Sequence, residues 1–263
     1  MDYYTWSIDP AIFKFGFLQV RWYSLLFVGS FFIGLLIMQK IFKKEGQNPE
    51  ILDSLLIYLL IGTIIGARLV HCLFYEPEYY LNHPLEILYI WKGGLASHGG
   101  LLGAIIALWL FVKKYKIPFL WLMSRLSIPA MLTASAIRFG NFFNSEILGK
   151  KTDVPWAIIF KRVDNIPRHP AQLYEAFSYL LIFFLLIYLY KKLPKKLSIG
   201  LLPAIGAGLS FGIRFFIEFF KTRQATYQND FFLNTGQILS IPFVLFCIIW
   251  SIFWINKYNK GNI

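Results

Sequence analysis

Apolar blocks of about 20 residues, separated by short lysine-rich connections, recur along the whole sequence and leave few folds open. That length of helix crosses the hydrocarbon core of a bilayer, where no water satisfies the backbone and a helix pairs its amides internally. Seven spans are predicted, at approximately 21–41, 51–74, 95–113, 118–138, 171–190, 199–220 and 236–256. The fourth is the least regular, with Arg125, Ser127 and Pro129 inside it. Only 15% of the 263 residues are charged and 57% are hydrophobic, whereas a soluble domain carries about 25% charged residues. A soluble all-helical protein would need polar faces that these segments lack. The expected fold is an all-α integral membrane protein, one polytopic domain over residues 1–263 without internal repeats or linkers.

The formal net charge of +12 would suggest nucleic acid in a soluble protein. Here the lysines fall in alternate connections: Lys40, Lys43 and Lys44; Lys113, Lys114 and Lys116; Lys191, Lys192, Lys195 and Lys196; Lys257 and Lys260. Seven spans put all of these on one side, and the positive-inside rule makes that side the cytoplasm. The N-terminus is then outside, the C-terminus is cytoplasmic, and no nucleic-acid partner is expected. The opposite side receives residues 75–94 and 139–170, the latter long enough for a small extracytoplasmic head segment. Met1 to Val20 carries Asp2 and Asp9 and no basic n-region, so it is not read as a cleaved signal peptide. Cys72 and Cys247 lie far apart in apolar segments and read as buried free thiols.

The costly residues gather at one predicted depth. Arg68 lies about six residues before the outer end of its span, roughly 9 Å at 1.5 Å per residue. Arg214 sits at a similar depth, Arg138 ends the fourth span, and His98 opens the third. A lone arginine near a helix end snorkels and needs no function. Several together repel one another unless an anion joins them, and a guanidinium offers paired donors to phosphate. Lipid headgroups supply phosphate there.

The densest motif is Arg138-Phe139-Gly140-Asn141-Phe142-Phe143-Asn144-Ser145-Glu146-Ile147-Leu148-Gly149, where an apolar span meets polar groups. Arg214 and Glu218 stand at i and i+4 and are read either as a structural ion pair or as a pair aimed at a phosphate. His98 lies among Gly93, Gly94, Gly99, Gly100 and Gly103, small residues that permit close helix packing or close approach to a ligand. Its imidazole is suited to accept a proton near neutral pH. In Arg168-His169-Pro170-Ala171-Gln172-Leu173-Tyr174-Glu175, Pro170 fits a first helical turn, and Gln172 and Glu175 are read as partners for its free amides. No metal-ligand spacing and no Gly-x-Ser-x-Gly elbow occurs. Tyr23, Asn141, Asn144 and Gln237 read equally as interface anchors or interhelical hydrogen-bond partners.

Taken together, these motifs resemble the bacterial prolipoprotein diacylglyceryl transferase family. The resemblance runs through Arg21-Trp22-Tyr23, Gly66-Ala67-Arg68, His98-Gly99-Gly100, the Arg138 to Gly149 stretch, Arg168 to Glu175, Arg214 with Glu218, and Gly236-Gln237. It implies a seven-helix plasma (inner) membrane enzyme that moves diacylglyceryl from phosphatidylglycerol to the lipobox cysteine thiol of a preprolipoprotein signal peptide. Glycerol phosphate would be released, with no metal or diffusible cofactor expected. His98, Arg138 and Arg214 are the expected catalytic residues. Tyr23, Arg68, Asn141, Asn144, Glu146, Gly149 and Glu218 are the expected substrate-binding residues. The sequence departs from the family pattern at Ile137 (commonly glycine), at Lys221 (commonly arginine), and at Ser210, where a tyrosine is often found. Two rival classes are a lipid transporter, which predicts charges reaching both faces, and a metal-dependent phosphatidyl transferase, which predicts clustered aspartates.

Overall fold

The computed structural model of the chain describes residues 3–15, 18–222 and 233–262. Among them run eight α-helices: α1 Trp22–Lys44, α2 Ile51–Val70, α3 Pro77–Asn82, α4 Ser97–Tyr115, α5 Phe119–Asn144, α6 Ala171–Lys192, α7 Lys195–Ile217 and α8 Thr235–Asn259. A helix thus occupies each of the seven expected positions, and α3 adds a short turn in the 75–94 connection. Six stretches are long and apolar enough to cross a membrane: Trp22–Lys44, Ile51–Tyr75, Phe119–Asn144, Ala171–Lys192, Lys195–Phe220 and Gly236–Asn259. Their length and composition are those of a multi-pass membrane protein. The remaining helix, α4, is not one of the six. Its apolar run is diluted by His98, Gly99, Gly100 and Gly103 at one end and by Lys113 and Lys114 at the other. Large apolar side chains such as Val28, Phe32, Leu60, Leu181 and Ile249 point outward, as hydrocarbon allows.

The chain forms two compact units, Met38–Leu122 and Met1–Ile37 with Met123–Ile263. In the first, α2 and α4 meet along glycines. A Cβ added at Gly62 or Gly66 would run into α4 at Gly103 and Gly99, and one at Gly99 or Gly103 would strike α2. Of the two uses of small residues, this is close helix packing. The 76–94 connection is gathered by Arg68, which is buried. Its Nε donates to Ile87 O (2.9 Å), its Nη1 to Gly93 O (2.6 Å) and Gly94 O (3.3 Å), and its Nη2 to Glu86 O (2.6 Å).

In the second unit, glycines again set the approach of helices: α7 offers Gly200 to Trp254 and Gly208 to Cys247 of α8. Arg125, which made the fourth span look irregular, is fully buried. Its Nη1 donates to Ser124 Oγ (2.9 Å) and Ser198 Oγ (3.0 Å), and its guanidinium stands 5.2 Å from the Tyr190 ring centroid. Cys72 and Cys247 are free and buried.

This unit also carries a small β-containing head. Strand β1 (Tyr4–Trp6) runs parallel to β4 (Ile158–Phe160), and β5 (Pro167–Arg168) pairs antiparallel to β4. Strands β2 (Ala11–Phe15) and β3 (Leu18–Arg21) form a hairpin. Trp6, Phe142, Ile158 and Phe160 make its apolar core. Part of the 139–170 stretch, β4 and β5, thus pairs with an N-terminal strand that a purely helical reading omits. Strands of two to five residues are too short for an alternating pattern to register. After β4, Arg168 Nη2 reaches Asp164 Oδ2 at 2.6 Å, while the Ile166 amide donates to Asp164 Oδ1 at 3.1 Å. The hydrogen bonds of Arg168, joined by that amide, hold the Asp164 carboxyl below the usual carboxylate range against the opposing pull of burial.

Two outcomes follow from this packing. Gly103→Val places side-chain atoms against the α2 backbone, so a sharply lower folded yield and melting temperature are expected in detergent. Because the Asp164 carboxyl is depressed on folding, its contribution to stability is present above the ordinary carboxylate pKa. It is lost as pH falls through the lower folded value. Thermal melts between pH 7 and pH 3 should show an acid limb that Asp164→Asn flattens.

Candidate active site

The Arg138 to Gly149 stretch begins as helix. α5 does not stop at residue 138, as expected, but continues to Asn144. Several of the polar side chains that suggest a boundary hydrogen-bond to one another around the end of the helix. Arg138 Nη1 donates to Asn141 Oδ1 (3.2 Å), and Asn141 Nδ2 donates to Glu146 Oε2 (2.9 Å). Asn144 Nδ2 donates to Glu146 Oε1 (3.1 Å). The helix ends in a sharp reversal: Ser145 has φ 57° and Ile147 has φ 54°. Left-handed backbone costs an L-residue about 1–2 kcal/mol, and a β-branched one is rarely found there. The reversal is held by the Glu146 amide donating to Asn141 O (2.9 Å) and by Gln172 Nε2 donating to Glu146 O (2.5 Å). It turns the Glu146 carboxylate back over the end of α5.

Gly149 then enters a crowded junction. Its amide donates to His169 O (3.1 Å), Arg168 Nη1 donates to Gly149 O (3.2 Å), and a β-bridge joins it to Lys221. A Cβ here would strike the backbone and Cβ of His169, so the glycine is required for close approach. His169 itself faces Tyr174 OH, 3.1 Å from Nδ1, and Trp156 Nε1 donates to the same hydroxyl at 2.7 Å. An indole only donates, so the Tyr174 oxygen accepts from Trp156 while remaining within hydrogen-bond distance of Nδ1. Burial lowers the His169 pKa.

Beneath this turn lies the strongest electrostatic feature. Glu175 is fully buried in the first turns of α6. Its Oε2 is 2.8 Å from Arg138 Nε and its Oε1 is 2.7 Å from Lys221 Nζ. Lys221, 5% exposed, also lies 3.5 Å from Glu218 Oε2. Gln172 and Glu175 are therefore not caps for the α6 amides, contrary to the sequence reading. One holds the Glu146 carbonyl and the other holds two cations. The i, i+4 pair between Arg214 and Glu218 does not form either. α7 ends at Ile217, and Glu218 opens a 3-10 turn that brings it to Lys221. Among the described residues no carboxylate pairs with Arg214. Tyr179, buried on α6, lies within electrostatic reach of Arg138, Arg214 and Glu175.

Second-layer contacts fix the neighbours. The Tyr23 ring lies against Gly140, where a Cβ would overlap it, and its hydroxyl senses both Glu146 and Arg138. A Cβ at Gly236 would meet the Glu218 carboxyl. Asn234 and Gln237 form a capping box at the start of α8, and Gln237 Nε2 donates to Phe215 O (3.3 Å), tying α8 to the end of α7. One unit thus brings together Tyr23, Arg138, Asn141, Asn144, Glu146, Gly149, Arg214 and Glu218. His98, exposed at the start of α4, and Arg68, engaged by loop carbonyls, belong to the other unit. Among the described residues no three His, Cys, Asp or Glu side chains gather to hold a metal ion.

Glu175 neutralises the buried Lys221 and the part-buried Arg138, so Glu175→Gln should cost about 3–5 kcal/mol, the price of an uncompensated buried charge. The double variant Glu175→Gln with Lys221→Met should recover part of that loss in thermal melts. Equal melting temperatures for Glu175→Gln and the parent chain would contradict this assignment.

Comparison with known proteins agrees with the motifs. The pattern of the prolipoprotein diacylglyceryl transferase family matches residues 10–254. A phosphatidylglycerol–prolipoprotein diacylglyceryl transferase from Tolumonas auensis is 51% identical over 245 residues, covering 93% of this chain and 95% of that protein. The enzyme of the same name from Chloroherpeton thalassium is 48% identical over 249 residues, covering 94% and 93%. The one from Bacteroides fragilis is 40% identical over 265 residues, covering 96% of each. With this extent of likeness, the chain belongs to the prolipoprotein diacylglyceryl transferase family.

Proposed function

We propose that this chain, an enzyme of the prolipoprotein diacylglyceryl transferase family, moves the diacylglyceryl group of phosphatidylglycerol to the lipobox cysteine thiol of a preprolipoprotein signal peptide, with Arg138 and Arg214 gripping the lipid phosphate. The observation that supports the phosphate role is that both guanidiniums lie within electrostatic reach of Tyr179, one anchored by Glu175 and the other without a carboxylate partner among the described residues. In this reading all seven helices span the plasma (inner) membrane of a bacterium, with the N-terminus outside and the C-terminus cytoplasmic. Arg138 and Arg214 then share the extracytoplasmic side, because α5 and α7 run in the same direction. The head formed by the N-terminal strands and residues 139–170 covers that end.

The reaction is a substitution at the glycerol carbon that bears the phosphate. A carbon–sulfur bond forms, the carbon–oxygen bond breaks, and glycerol phosphate leaves with the electron pair as the thiol proton is removed. A thiol with a pKa of about 8.5 is mostly protonated at neutral pH, and His98 is the group assigned to take or relay that proton. Charge grows on the phosphate as the bond breaks, where Arg138 and Arg214 stabilise it. Glu175 and Lys221 fix the Arg138 guanidinium. Asn141, Asn144 and Glu146 orient it and the glycerol hydroxyls, and Tyr23 closes the same wall. Gly149 and Glu218 hold the backbone and charge around them. Arg68, with four of its five N–H donors on carbonyls of the 76–94 connection, shapes that connection for binding the substrate. No cofactor or metal is called for by this chemistry.

Arg138→Gln and Arg214→Gln should each lower diacylglyceryl transfer by about 10²–10³-fold at normal folded yield, the loss typical of a transition-state donor. Near-normal turnover by either variant removes that residue from the mechanism. His98→Asn should abolish transfer or displace its pH profile; an active variant with the parent profile would reject the base assignment.

A further inference from the structure

On the head, a polar cavity of about 190 Å³ opens between the β2–β3 hairpin and the Asn144–Glu146 turn. Lys14, Arg21 and Arg162 line it together with Asp9, Glu146 and Asn144. Three cations face two carboxylates, a local excess of one positive charge. Lys14 Nζ is already engaged by Asp9 Oδ2 at 3.0 Å, and the Ala11 amide donates to Asp9 Oδ1 at 2.9 Å, so this corner is preformed. No carboxylate lies within ion-pair distance of Arg21 or Arg162 among the described residues, although Arg162 acts on Asp9 through space. Glu146 and Asn144 belong both to this cavity and to the network that reaches Arg138.

We propose that this cavity is a receiving site for the glycerol phosphate released by transfer, and that it draws the product away from Arg138. The inference rests on the reaction proposed above. Transfer converts a lipid phosphodiester, with one negative charge, into a phosphate monoester carrying about −1.5 to −2 at neutral pH. An excess of cations just beyond Glu146 therefore attracts the product more than the substrate. The Glu146 carboxylate and Asn144 amide supply partners for glycerol hydroxyls, while Arg21 and Arg162 supply donors for the phosphate oxygens. The cavity has room for a three-carbon phosphate and no apolar groove for acyl chains.

The test uses the full chain in phosphatidylcholine nanodiscs and follows glycerol phosphate binding by ³¹P NMR, which needs no turnover. Free glycerol phosphate should bind saturably, inorganic phosphate more weakly, and glycerol should not displace it. Arg21→Gln with Arg162→Gln should weaken binding by about tenfold or more, the scale of losing a charge-assisted hydrogen bond. The same variants should leave initial transfer rates unchanged and relieve inhibition by added glycerol phosphate. Binding that survives both substitutions overturns the proposal, as does inorganic phosphate binding equally well, which marks an adventitious anion site. Binding seen only with phosphatidylglycerol in the nanodisc, and never with the free monoester, assigns the cavity to a headgroup and also overturns it. If the chain lacked transferase activity altogether, the reaction reading would fail while the binding result still stood on its own.

Discussion

A single buried carboxylate, Glu175, holds the site in register. It faces Arg138 on one side and Lys221 on the other, at 2.8 and 2.7 Å. Burying any one of these charges alone would cost several kcal/mol. Together they offset one another and join three separate elements: α5, α6 and the segment after α7. Lys221 carries the link onward to Glu218, and Arg138 carries it to Asn141 and Glu146. The proposed phosphate grip therefore depends on a charge pattern set before any substrate arrives. Electrostatic stabilisation of a leaving group relies on such preorganisation.

Glycine and strain complete that frame. Gly149 and Gly236 let backbone and carboxylate approach where a side chain would intrude. Ser145 and Ile147 hold left-handed backbone around Glu146, the residue that faces both the arginine network and the head cavity. Strain of this kind persists only where surrounding bonds over-determine it, and here Gln172 and Asn141 supply them. In the proposed mechanism the same turn orients the glycerol moiety and hands the product outward.

Much of this was legible in the chain alone. The apolar blocks predict a helix at each of the seven positions, and the motif between Arg138 and Gly149 does gather its polar side chains into one hydrogen-bond network. The end of α5 was not legible, because Asn141 and Asn144 look like contact with water, yet they hydrogen-bond to Glu146 instead. Glu175 and Gln172 stand where capping residues stand, and only the fold brings Arg138, Lys221 and the Glu146 carbonyl to them. Lys221 looked like a departure from a family pattern, whereas its point charge reaches two carboxylates that lie far apart in sequence. The i, i+4 rule suggested an Arg214–Glu218 pair, but the helix ends between them. The head strands are too short for periodicity, and β1 finds its partner β4 only across 154 residues, Tyr4 against Ile158.

The most direct measurement is the distance from the Arg138 and Arg214 guanidinium carbons to lipid phosphorus. Solid-state ¹³C–³¹P dephasing on arginine-labelled protein with bound phosphatidylglycerol reads it, with Arg→Lys variants assigning each signal. Both guanidiniums should lie within about 5 Å of one phosphorus, the reach of a charge-assisted hydrogen bond. Dephasing from one arginine alone, or from neither, would contradict a phosphate held between the two.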